Sequence, residues 1–94
     1  MTTYGFDPAA PSEMQSWLVE RVAEYLPDLG EAVDPHRQLG EYGLDSIAVV
    51  AFAADVEEQL GIAVDPTAIW DYPTISELAE YLAGELTELR PQPA

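Results

Sequence analysis

Cysteine is absent from the 94-residue sequence, and so is lysine. The first absence excludes disulfides, thiolate metal sites and a cysteine nucleophile. The second leaves Arg21, Arg37 and Arg90 as the fixed cations against 18 acidic residues, for a net charge of −15. No basic patch can form to neutralise phosphates, which excludes nucleic-acid binding and disfavours an anionic membrane surface. Charged partners should instead be basic. The longest apolar run, Ile47 to Ala54, falls far short of the roughly 18 residues of a membrane span. The opening residues have neither the positive charge nor the apolar stretch of a secretory signal, so the expected setting is cytoplasmic. Histidine occurs once, as His36, and with no Gly-x-Ser-x-Gly elbow a serine hydrolase is excluded. The carboxylates lack calcium-loop spacing and Glu-x-x-His pairs, so neither a metal site nor a catalytic residue is expected. What the chain does have is 48 % hydrophobic residues, enough for one small folded domain.

The apolar spacing is helical throughout, with no alternating strand pattern and no repeat. Residues 1–11 mix Thr, Gly, Pro and Ala without period and read as a flexible leader. Residues 90–94 read as a flexible tail, because their prolines block helix continuation. Between them, 12–89 should form the domain. A first helix is expected from Ser12, with Ser12 and Gln15 as a capping box. Met14, Trp17, Leu18, Val22, Tyr25 and Leu26 line its apolar face, and Pro27 ends it. Asp28 to Leu44 is a long irregular stretch, which Val33, Leu39 and Leu44 can pin to the core. A second helix should run from an Asp45 cap to Leu60, stopped by Gly61. Asp65 reads as a cap and Pro66 as the first helical position of one short turn through Trp70. The last helix starts at Thr74 in a second capping box with Glu77, and buries Ile75, Leu78, Ala79, Leu82 and Leu86. The fold class is therefore all-α, a bundle of three longer helices and one short third helix.

The second helix is apolar on two sides. Val49, Phe52, Ala53, Val56 and Leu60 form one stripe, and Ile47, Val50, Ala51 and Ala54 form another nearly opposite. A domain of this size cannot enclose a helix on all sides. The phenylalanine stripe is assigned to the core and the isoleucine stripe to a partner surface. At the start of this helix stands Ser46, where free amides and the helix dipole favour an anion. A phosphodiester on its hydroxyl would be held there.

Gly43-Leu-Asp-Ser-Ile47, at the end of the stretch from Leu39, resembles the phosphopantetheine attachment motif of acyl carrier proteins. Trp70-Asp-Tyr-Pro-Thr74 resembles the segment that opens the last helix in carrier domains of polyketide synthases. The resemblance extends over about Ser12 to Leu89. It implies the four-helix bundle of that family and a carrier rather than an enzyme. A phosphopantetheinyl transferase would use coenzyme A and Mg²⁺ to link 4′-phosphopantetheine to Ser46, beside Asp45. The thiol that this cysteine-free chain lacks would thus be imported, to carry acyl groups as thioesters.

The resemblance also gives the isoleucine stripe a role. Partners of the family dock on the second helix, so Ile47, Val50, Ala51 and Ala54 would be read by enzymes, with Glu57 and Glu58 meeting basic groups. Those partners would be an acyl-loading enzyme (an acyltransferase or acyl-adenylate ligase) and a ketosynthase or other downstream enzyme. Alanines at 48, 51, 53 and 54 stand where relatives carry charge, which implies more hydrophobic docking in polyketide or lipid-derived natural product synthesis. Trp70, where phenylalanine is commoner, resembles carriers that work with acyl-adenylate ligases. Met1 and the polar ends favour a free-standing protein over a domain excised from a megasynthase, and a monomer is expected. Two alternatives stay open: a peptidyl carrier of nonribosomal peptide synthesis, and an unmodified adaptor with the same fold.

Overall fold

The computed structural model describes Asp7 and residues 9–89, with the side chains of 88 and 89 excepted. Most of the expected leader and all of the tail lie outside the described residues. The chain forms α1 (Pro11–Glu24), a 3-10 turn (Leu39–Tyr42), α2 (Ser46–Leu60), a short α3 (Thr67–Asp71) and α4 (Ile75–Leu89). The all-α bundle with a short third helix is the observed fold.

The start of α1 differs from expectation. No Ser12–Gln15 capping box forms; the helix opens at Pro11, with Ala10 as a cap that makes no side-chain bond. Proline's fixed φ suits the first helical position, where its missing N–H is no loss, and this draws the helix start one residue earlier. Glu13 then reaches back, its Oε1 accepting from the Asp7 amide at 3.3 Å. The other end falls at Glu24, because Pro27 disfavours helical geometry at Leu26.

α1 packs along α4. Between them and α2, Met14, Leu18, Val22, Phe52, Val56, Ile75, Leu78 and Leu82 are almost completely sealed from solvent. Burying each such side chain is worth about 1.5–3 kcal/mol. Tyr25 closes one end with its ring edge-on to Phe52, centroids 5.8 Å apart. Each expected apolar residue of α4 is buried. Thr74 caps that helix by accepting from the Glu77 amide at 3.2 Å. The returning Glu77 carboxylate meets the Thr74 hydroxyl at 2.9 Å, so this box closes through side chains.

The stretch from 28 to 44 is less irregular than its glycines and prolines suggest. Val33 and Leu39 are buried as expected, and Leu44 packs half-buried against the core. The unforeseen 3-10 turn carries its own capping box, Gln38 with Glu41. Two backbone bonds fasten this loop to the start of α4: Leu39 N–H to the Pro73 carbonyl at 2.8 Å, and Ser76 N–H to the Pro35 carbonyl at 2.9 Å. The Tyr42 hydroxyl accepts from the Asp34 amide at 2.7 Å. Arg37 lies over the Tyr42 ring at 4.8 Å and pairs with Glu31 at 3.5 Å. The loop thus reaches Ser46 as a braced arm.

Candidate functional site

The turn into α2 depends on Gly43, whose φ of 83° lies in the left-handed region that a side chain would strain. Asp45 follows in extended geometry, and its Oδ1 accepts from the Ala48 amide at 2.8 Å. Its carbonyl accepts from Val49 at 2.9 Å, the first bond of the helix. Ser46 is therefore the first helical residue. Its own N–H and that of Ile47 have no intrahelical acceptor and carry the positive end of the helix dipole. Gly61, with φ of 72°, closes the helix by donating to the Glu57 carbonyl at 2.9 Å.

Ser46 is exposed, and its hydroxyl has no hydrogen-bond partner among the described residues. The expected docking stripe stands out beside it. Ile47 is 81 % and Val50 53 % exposed, and Ala51 and Ala54 are exposed as well. The opposite stripe, Val49, Phe52, Ala53, Val56 and Leu60, is buried throughout. At 100° per residue, Ser46, Val50 and Ala54 form one row that runs onto the exposed face. Glu58 is exposed on the same side. Glu57 is also exposed, but one of its oxygens is taken by the Val64 amide at 2.7 Å, which anchors the α2–α3 connection. The structure thus places Ile47, Val50, Ala51 and Ala54 on the exposed side that starts at Ser46, whereas Glu57 and Glu58 lie about three turns further along α2, with Glu57 serving the fold.

Positive charge is scarce near this surface. Arg21 pairs with Glu24 at 3.0 Å and lies near the Trp17 ring, and Arg37 pairs with Glu31. Among the described residues both arginines are therefore engaged. No group of three or more His, Cys, Asp or Glu side chains could hold a metal ion among the same residues. Nor is any described helix long and apolar enough to cross a membrane.

The start of α3 was expected to place Pro66 first in the helix. It begins one residue later, at Thr67, with Pro66 as its cap. Asp65 nevertheless performs the anticipated function, its Oδ1 accepting from the Thr67 amide at 2.9 Å. That bond, with the Thr67 hydroxyl, holds the Asp65 carboxyl below the usual carboxylate range. Sequence spacing does not reveal a groove near the start of α2, lined by Leu39, Leu44, Val49, Ile69, Trp70 and Pro73 together with Gln38 and Gly40. Its walls come from three separated segments. Only the exposure of Trp70 on a one-turn helix could have hinted at it.

Residues 16–82 match the family described as "Phosphopantetheine attachment site". The chain belongs to this family. Its cofactor is covalently attached 4′-phosphopantetheine. The site fits such a group: one exposed, uncommitted hydroxyl stands at an electropositive helix start, with open surface around it. The carrier domain is 34 % identical over 85 residues to 6-methylsalicylic acid synthase of Penicillium patulum, a match that takes in 86 % of this chain. The chain spans only 5 % of the length of that synthase. Among solved structures, it resembles a free-standing peptidyl carrier protein from Acinetobacter baumannii, with 36 % identity and a TM-score of 0.76. That likeness covers 83 % of this chain and 98 % of the other. It also resembles the HMG-ACPI domain of the CurA module from Lyngbya majuscula, at 28 % identity and a TM-score of 0.77, covering 85 % and 81 % of the two chains.

Proposed function

We propose that this chain is a non-catalytic acyl carrier whose 4′-phosphopantetheine is attached at Ser46 and which serves polyketide or lipid-derived natural product synthesis. The observation that carries the reading is the setting of Ser46: an exposed hydroxyl, free of hydrogen bonds among the described residues, on the first turn of a capped helix. When bound, the arm supplies a terminal thiol able to form thioesters. The chain's own residues do the rest. Asp45 fixes where α2 starts and so where the hydroxyl points. The amides of Ser46 and Ile47 favour the phosphodiester's charge. Single-histidine, cysteine-free composition leaves acid–base and nucleophilic chemistry to partners.

Those partners are a phosphopantetheinyl transferase, an acyltransferase or acyl-adenylate ligase that loads the thiol, and a ketosynthase or similar enzyme downstream, all in the cytoplasm. The carrier meets them as a monomer. Ile47, Val50, Ala51 and Ala54 form the contact surface, with Glu58 and the free oxygen of Glu57 facing basic groups at its far end. Exposed apolar residues of this size and number, beside the attachment point, support a docking role. The charge-poor first turns make that docking depend weakly on salt.

Incubation with coenzyme A, Mg²⁺ and a broad-specificity transferase tests the reading by intact mass. A gain of one phosphopantetheine on the protein, and none on Ser46→Ala, is expected. No gain, under conditions that modify a control carrier, favours an unmodified adaptor. The identity with a peptidyl carrier protein favours a second reading, in which the cargo is an aminoacyl group. Offering the modified protein adenylated fatty, aryl and amino acids with their ligases separates the two.

A further inference from the structure

Ser46 stands on the first turn of α2, and first turns fray readily because their amides have no intrahelical acceptor. Where its hydroxyl points therefore depends on what holds the chain on the loop side. That hold starts at α4. The Ser76 amide donates to the Pro35 carbonyl at 2.9 Å, and the Leu39 amide to the Pro73 carbonyl at 2.8 Å. Next to Pro35, Asp34 is a hub. Its Oδ1 accepts from the His36 amide at 2.9 Å, and its carbonyl from the Arg37 amide at 3.2 Å. Beyond Leu39 the turn bonds are short-range, from Glu41 to Gln38 at 3.0 Å and from Gly43 to Gly40 at 3.2 Å. Tyr42 supplies the long tie. Across eight positions, its hydroxyl accepts from the Asp34 amide at 2.7 Å and donates to the Asp34 carbonyl at 3.4 Å. The Arg37 guanidinium covers its ring at 4.8 Å, and Glu31 holds that arginine at 3.5 Å. Between Tyr42 and Ser46 lie the left-handed Gly43, the half-buried Leu44 and the cap Asp45.

We propose that Tyr42 is a positioning residue for Ser46: its hydroxyl on Asp34, with Arg37 laid over its ring, holds the last turn of the loop so that the serine meets the transferase in one orientation. This inference rests on the reading of Ser46 as the attachment site. The links form an unbroken path from the first turn of α4 through Pro35 and Asp34 to Tyr42, and from there to the α2 cap. Packing accounts for the half-buried ring of Tyr42 but not for its hydroxyl, which any apolar side chain of similar size could dispense with. Without the hydroxyl, Gly43 is a free joint, because glycine resists few backbone conformations. The loop end then samples several orientations, of which one suits the enzyme. A partner that binds one conformer out of several sees its apparent affinity fall by the fraction of that conformer. Once the carrier is bound in that conformer, the chemical step is the same.

The test follows transferase kinetics with coenzyme A saturating and the carrier varied, for the parent, Tyr42→Phe and Arg37→Gln. Tyr42→Phe keeps the ring and deletes the tie. Its KM for the carrier should rise about three- to ten-fold, the worth of one net hydrogen bond, with kcat unchanged. Arg37→Gln alters an exposed side chain and should raise KM about two-fold. Amide exchange supplies a signature that a merely structural role would not give. In Tyr42→Phe the Asp34 and Ala48 amides should exchange several-fold faster, while those of Leu18 in α1 and Leu82 in α4 keep the parent's rates. A Tyr42→Phe KM equal to the parent's overturns the proposal. So does a rise in KM with faster exchange throughout the core, which makes Tyr42 an ordinary stabilising residue. A fall in kcat at constant KM also overturns it, because the lost interaction then belongs to the transition state. Should Tyr42→Phe fail to fold, Arg37→Gln decides in its place: a two-fold rise supports the proposal and an unchanged KM overturns it. Intact mass of the parent, read first, distinguishes the two failures. An absent pantetheine gain overturns the reading of Ser46 and this inference with it, whereas a gain with kinetics indifferent to Tyr42 overturns the positioning role alone.

Discussion

Two faces of α2 are built from the same kinds of residue and end in opposite environments. On one, Val49, Phe52, Val56 and Leu60 are at most 3 % exposed. On the other, Ile47 and Val50 are more than half exposed, followed by the exposed Ala51 and Ala54. Hydrophobicity alone does not separate the faces; the neighbours do. α1 and α4 supply enough apolar surface to cover one side of α2, and the domain is too small to cover the other. The uncovered side begins beside Ser46, where we propose that the cofactor joins. Its apolar character is not used in folding, which fits the docking role proposed for it.

Substitution should separate the faces sharply. Phe52→Ala is expected to lose about 3–5 kcal/mol, because it empties the centre of the core. Val50→Asp should change stability by less than about 1 kcal/mol. It should nevertheless slow acyl loading at least about ten-fold, as the loss of a central interface contact does. Urea denaturation and loading kinetics on the same pair of variants check this. A Val50→Asp protein that fails to fold would reverse the assignment of the faces.

The phase of both faces is set where the helix begins. Asp45→Ala removes the carboxylate that accepts from Ala48 and should lose about 1 kcal/mol, with Asp45→Asn retaining most of the stability. On the outer side of α4, Gly84 has open space where a Cβ would point. Gly84→Ala should raise stability by about 0.5–1 kcal/mol without altering loading, since that surface lies on another helix.

The smallest effect concerns the margins of the core. Burial, more than the nearby Asp55 and Glu24 charges, raises the Tyr25 phenol above its ordinary value of 10.0. Burial followed by the Glu85 charge does the same to Tyr81, which stacks on Tyr72 at 4.6 Å. Both folded values exceed the unfolded ones. Their contribution is therefore complete below pH 10 and is lost as pH rises through the raised values. Phenolate absorbance should appear later in the folded protein than in the protein unfolded in guanidinium.

The legible parts of the sequence were those fixed by local chemistry. Asp45 and Gly61 bound α2 because a carboxylate cap and a left-handed glycine act within one turn of themselves. The two stripes were legible because helical period places them without knowledge of any neighbour. Ser12 illustrates the limit: its capping signal was real in composition, yet Pro11 beside it suited the helix start better. The 3-10 turn at Leu39 was hidden for another reason. It is held by the Pro73 carbonyl, 34 positions along the chain, and no local pattern announces such a bond. The groove at Trp70 was hidden likewise, as its walls meet only in the folded chain.

Peptide mapping of the transferase-treated protein, cleaved after glutamate, is the most direct check on where the arm is joined. The added mass should fall wholly on the peptide spanning residues 42 to 57, at Ser46. Mass found instead at Ser12, Ser16 or Ser76, or an unchanged peptide 42 to 57 beside a fully modified control carrier, would contradict it.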